Sequence, residues 1–140
     1  MKIRPVVQRE RTGCGIASAA AIAGVSYARA NSVAASLDIS ARDRRLWSET
    51  AHVRRLLGRF SARTAVEQPF PGWNNLPDLA LLSIKWHRES GRPFWHWVVF
   101  VRDGRGPRVL DSKQSLRRHT RTDFGRMKPK WYIAVRRARR

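Results

Sequence analysis

Around Pro69-Phe70-Pro71-Gly72 the apolar pattern of this chain changes period, and that change limits the possible folds more than any other feature. Upstream, a run of small residues from Gly15 to Val25 predicts a central helix that starts near Cys14, after the break at Thr12-Gly13, and ends at Gly24. Ser26 is placed to cap a second helix over about Tyr27 to Leu37, with Tyr27, Ala30, Val33 and Ala34 on one face. Residues 38–47 are polar and charged and read as a loop. Ser48 then caps a third helix from about Glu49 to Gly58 that buries Val53, Leu56 and Leu57. Downstream of the turn-rich segment 67–75, strands are expected at Leu79 to Trp86, Trp95 to Arg102, Arg108 to Asp111 and Lys130 to Val135. Turns at Glu89 to Arg92 and Asp103 to Gly106 join the first three. Helices followed by an antiparallel sheet define an α+β chain.

With 140 residues and six Trp, the chain is expected to form one domain, residues 1–140, with a core that needs neither metal nor disulfide. A single cysteine excludes an intramolecular disulfide. It suits a reducing compartment, or a thiol with a chemical task. His52, His87, His96 and His119 form no ligand pair at metal spacing, so neither a metal nor a cofactor is expected. Lys2, Arg4, Arg9 and Arg11 ahead of an apolar run, with Ala28-Arg29-Ala30 behind it, outline a secretory leader. The run is Ala- and Gly-rich, contains Ser18 and no Leu, and cleavage would discard the only cysteine, so it reads as a buried helix. No segment reaches the ~20 apolar residues of a membrane span. A cytoplasmic location is expected, the alternative being export without a cleaved leader.

The chemistry is concentrated in three places. A thiol attacks an acyl carbon as thiolate, which the unpaired N–H groups and dipole of a helix start stabilise; Cys14, between Gly13 and Gly15, occupies such a start. The flanking glycines are expected to let a substrate backbone approach. Taken alone, a buried structural cysteine is the commoner case. His96 opens the apolar strand Phe94 to Phe100 and Asp111 closes the next one, so pairing through the turn at 103–106 sets the two near each other. An acid there orients the imidazole and leaves its other nitrogen for Cys14. A core histidine and a turn-capping aspartate are the plain alternatives for each residue singly. Gln8, six residues before Cys14, is a candidate donor, with the Cys14 N–H, to an oxyanion.

The stretch from Gln8 through Thr12-Gly13-Cys14-Gly15 to Ser18 resembles the signature of bacterial C39-like cysteine peptidases of the papain-like superfamily. His96-Trp97-Val98-Val99 is similar to that family's histidine strand, Val109-Leu110-Asp111 to its acid strand, and Gly24-Val25-Ser26-Tyr27 to its link into a second helix. The resemblance spans about Val7 to Val135. It implies a papain-like fold with Cys14 as nucleophile, His96 as base, Asp111 as orienting acid and Gln8 in the oxyanion hole. Gly13 stands where the family has an acidic or small residue, and Ser112 where it often has Pro. The implied activity is amide cleavage through a thioester, or deamidation or transamidation by the same triad.

The net charge of +19 (24 Arg and five Lys against ten acids) sustains a second class of reading: a nucleic-acid or anionic-surface binder on the same scaffold. The run Arg117-Arg118-His119-Thr120-Arg121 would serve it, although such runs are more often a solvated face. A peptide or protein substrate, acidic where the charge steers it, is the expected partner of the enzyme. His52, His87 and His119 take no role. Trp73, Trp86, Trp95 and Trp97 are candidates for a cleft, with core packing expected for at least half of them.

Overall fold

The computed structural model describes residues 3–137. Lys2 of the basic N-terminal stretch and residues 138–140 of the basic tail lie outside the described residues. Among the described residues the fold is α+β, with four α-helices and seven strands that pair antiparallel throughout.

Helix α1 (Cys14–Ala23) is the apolar run expected as a buried helix, and it is buried from Cys14 through Ile22. Alanine is the best helix former and adds little bulk, so the helix can be surrounded by other elements. Gly24 ends it in the left-handed region at φ 74, and the N–H groups of Gly24 and Val25 close a Schellman motif on Ala21 and Ala20. The Ser26 hydroxyl accepts the Arg29 N–H at 3.1 Å and starts α2 (Tyr27–Ser36), as the sequence predicts. Segment 38–47 is not wholly loop: the Asp43 carboxylate accepts the Arg45 N–H and opens a 3-10 turn at Arg44–Trp47. Helix α3 (Ala51–Arg59) begins later than expected, because Ser48 does not cap it. The Ser48 hydroxyl instead donates to the Pro93 carbonyl at 2.7 Å.

Strands β1 (Ala62–Thr64) and β2 (Gln68–Pro69) are followed by β3 (Leu79–Glu89) and β4 (Arg92–Asp103), both longer than their apolar runs. They extend to a two-residue turn at Ser90-Gly91, where both residues have positive φ. Strand β5 (Gly106–Leu110) stops one residue before Asp111. Strand β6 (Thr120–Arg121), helix α4 (Phe124–Met127) and strand β7 (Trp131–Arg137) complete the chain. The sheet order is β1-β7-β3-β4-β5-β6, with β2 also on β7.

Helices α1 to α3 cover one face of the sheet; Phe70, Trp73, Leu76 and α4 cover the other. That explains why β4 is apolar at consecutive positions: Trp97, Val99 and Val101 face the helices while Val98 and Phe100 face the second layer. On the helix side the indoles of Trp95, Trp97 and Trp131 pack edge to face, with centroids 4.8–5.6 Å apart. Trp97 on β4 and Trp131 on β7 meet across β3 because β3 places the small Ser83 between them. Trp97 Nε1 donates to the Leu46 carbonyl at 2.6 Å and pins the 3-10 turn to the sheet.

Gly15 sits where α1 crosses this layer, and a Cβ on it would lie 2.7 Å from Val53 Cγ2. Alanine gains about 1 kcal/mol over glycine in a helix interior, yet overpacking costs about 1–3 kcal/mol. Gly15→Ala is therefore expected to lower the urea unfolding midpoint. An unchanged or higher midpoint would mean that α3 yields freely at this contact.

Candidate active site

Continued past Leu110, the β4–β5 register would set Trp97 against Ser112. The chain instead leaves the sheet there. The Ser112 carbonyl accepts the Gln8 N–H at 3.0 Å, and its hydroxyl donates to Gln8 Oε1 at 2.7 Å. The N-terminal segment thus occupies the place of a longer β5. The Trp97 N–H that such a strand would have taken donates to Cys14 Sγ at 3.4 Å. This wedge at the end of β5 brings the start of α1 against β4.

Around the wedge the structure brings Cys14, His96 and Asp111 together. Asp111, one residue past β5, lies diagonal to His96 in the register, and His96 Nε2 is 2.7 Å from Asp111 Oδ1. Cys14 is close enough to the ring to act on its titration, and with Nε2 on Asp111 the nitrogen left for the thiol is Nδ1. Burial pushes the imidazole down, but the hydrogen bonds to Asp111 and Cys14 outweigh it and raise His96 to about 9.

Asp111 is itself 1% exposed and fully engaged. Its Oδ1 also accepts the Lys113 N–H at 3.1 Å, and its Oδ2 accepts from Arg121 Nη1 at 2.9 Å. Burial pushes the carboxyl up; His96 first, then the Lys113 N–H and Arg121, override it and hold Asp111 well below the usual carboxylate range. Arg121 in turn grips Asp123 with Nε and Nη2. His119 Nδ1 lies 2.8 Å from the Asp111 carbonyl, and the Asp111 N–H donates to the His119 carbonyl. Half of the basic run 117–121 is therefore turned inward: His119 and Arg121 secure Asp111, while Arg117 and Arg118 are exposed. The sequence signal for this was the arginine–acid spacing Arg121-Thr122-Asp123, which the density of charge around it concealed.

Gly13 offers no side-chain cap, so the first-turn N–H groups of α1 keep their dipole for the thiol. The two glycines around Cys14 serve packing rather than substrate approach, contrary to expectation. Tyr27, whose hydroxyl bonds Glu10, fills the space over Gly13, while Val53 and Trp97 fill that over Gly15. Gln8 lies beside the site, 6% exposed, with its amide already employed: Nε2 donates to the carbonyls of Glu10 at 3.0 Å and Arg11 at 3.1 Å. Gln8 braces the turn that leads into Cys14, and could serve an oxyanion only by releasing one of those carbonyls.

A cleft of about 510 Å³ opens next to the triad, lined by Gln8, Trp47, Lys85, Trp95, His96 and Lys113 among others. Cys14 does not line it and has no exposed surface, so the sulfur lies beneath the cleft floor in this conformation. Of the expected cleft tryptophans, Trp95 lines it, Trp97 is core, Trp73 packs against Phe70 and Phe124 on the opposite face, and Trp86 lies under Lys130. Trp47 was not expected there. A larger cavity, about 930 Å³, lies at the far end of the sheet between Arg63, Val101 and Arg136, with none of the candidate residues. Among the described residues no group of three or more His, Cys, Asp or Glu side chains could hold a metal ion, and no helix is long and apolar enough to cross a membrane.

The raised His96 value has a consequence for stability. A folded-state pKa above the unfolded one contributes stability in full below about 6.5, and that contribution is lost as pH rises through about 9. Unfolding free energy from urea titrations is expected to fall between pH 6.5 and 9.5 in the wild type, and to vary much less in Asp111→Asn, which removes the imidazolium's partner. Parallel profiles for the two proteins would contradict the pairing. No protein-family model matches this chain, and no curated protein matches it.

Proposed function

We propose that the chain is a papain-like cysteine peptidase that cleaves amide bonds through a Cys14 thioester. One observation carries the reading: a single imidazole is shared between a carboxylate and a thiol at a helix start. A buried structural cysteine needs neither the imidazole nor the carboxylate, and a core histidine does not need an acid held ionised by an arginine.

In the mechanism, His96 Nδ1 takes the thiol proton and the resulting imidazolium is supported by Asp111 through Nε2. The sulfur attacks the acyl carbon, and the oxyanion is met by the Cys14 N–H at the first turn of α1, joined by Gln8 when its amide leaves one of its carbonyls. Collapse breaks the C–N bond, and His96 delivers the proton to the departing amine. Water then attacks the thioester with His96 as base, releasing the acid and restoring the thiol. Because the sulfur is covered at rest, acylation requires the residues above it to move aside.

Peptide pools incubated with the protein and read by mass spectrometry test the activity. Cleavage splits peptides, whereas deamidation by the same triad adds about one mass unit. Cys14→Ala is expected to abolish turnover, and His96→Ala to reduce it by at least about a thousandfold. Full activity in Cys14→Ala would sink the assignment.

A further inference from the structure

We propose that the cleft beside Cys14 recognises a carboxylate on the substrate, with Lys85 and Lys113 as a paired clamp, so that the substrate is an acidic peptide segment. The inference rests on the thiol reading above and names the substrate class of that same site.

Its basis is a local irregularity in β3. The β3–β4 register slips between Ile84 and His87, and Lys85 within the slip adopts φ 54, a left-handed conformation that costs a non-glycine residue energy. A bulge re-aims side chains, and here Lys85 lines the cleft together with Lys113, two residues beyond Asp111. Two ammonium groups lining one cleft repel each other unless an anion lies between them. Burial first, and then Lys113, pull Lys85 below the ordinary lysine value.

The nearby acids are paired with other cations. Asp111 is engaged by His96 and Arg121, and Glu89, the carboxylate on the cleft wall, binds Arg44 at 2.5 Å and lies 3.5 Å from His87. Arg11 adds a third cation to the lining. Trp47 and Trp95 supply an apolar wall, and each buries an indole N–H that has no acceptor among the described residues. A cation-rimmed, tryptophan-walled cleft of about 510 Å³ suits a short stretch of extended peptide carrying glutamate or aspartate next to the attacked acyl group.

The test uses the full chain carrying Cys14→Ala, titrated by fluorescence anisotropy with a fluorescein-labelled hexapeptide containing two glutamates and with its glutamine counterpart. The glutamate peptide is expected to bind about tenfold more tightly, and Lys85→Met with Lys113→Met to erase that difference. Arg63→Met with Arg136→Met, which removes equal charge at the far end of the sheet, is expected to change it less than twofold. Equal binding of the two peptides, or equal losses in both double variants, would overturn the clamp. So would a single-stranded oligonucleotide that binds more tightly than the peptide and loses as much in the lysine variant, because the anion would then be phosphate. Alkylation of the cysteine-bearing chain separates this claim from the thiol reading. The ratio of iodoacetate to iodoacetamide rates at Cys14 is expected to fall about fivefold in the lysine variant. A thiol inert to both reagents, with the peptide preference intact, would remove the chemistry and leave the anion site.

Discussion

One backbone hydrogen bond separates this sheet from an ordinary antiparallel one: the Trp97 N–H points at Cys14 Sγ instead of at a neighbouring strand. It exists because β5 ends at Leu110 and Ser112 turns to pair with Gln8. The candidate site follows from that vacancy. It admits the helix start to the edge of β4, sets the thiol against His96, and leaves Asp111 at the point where the departing chain can still reach back to the ring.

The electrostatics divide the acidic residues from the basic excess. Of ten acids, Asp43, Asp78, Glu89, Asp103, Asp111 and Asp123 are each within ion-pair distance of an arginine. Most of the negative charge is engaged in this way, while cations such as Arg117 and Arg118 are exposed. Exposed pairs of this kind add little to stability. The buried Arg121–Asp111 contact is different, because Asp111 has almost no solvent to fall back on and would otherwise be driven toward its neutral form. Arg121 thus acts at a distance from the thiol by keeping the residue that orients His96 ionised.

The larger elements were legible because each buries a periodic face. Helix α1 was readable from its alanines and from Gly24, α2 from Ser26, and β4 from its unbroken apolar run. Short pieces were not: β1, β2, β6 and α4 have two to four residues each and are held by partners distant in the chain, so no period betrays them. Ser48 has the right residue type for a helix cap but is claimed by the Pro93 carbonyl, a tertiary contact that local pattern cannot display. At the site, the neighbourhood of His96 and Asp111 was readable from hairpin counting. The burial of Cys14 and the employment of Gln8 were not, since both depend on where the segment before α1 is laid down. The glycines about Cys14 signalled close approach, but what approaches, Tyr27, Val53 and Trp97, comes from distant parts of the chain.

The central claim is that thiol, imidazole and carboxylate form one electrostatic unit, and the titration of His96 itself tests this most directly. Following the His96 ring signals by NMR across pH should place its midpoint near 9 in the wild type, with a clear fall in Cys14→Ala and a further one when Asp111→Asn is added. A midpoint near the ordinary histidine value, unmoved by the loss of the thiol, would contradict the account.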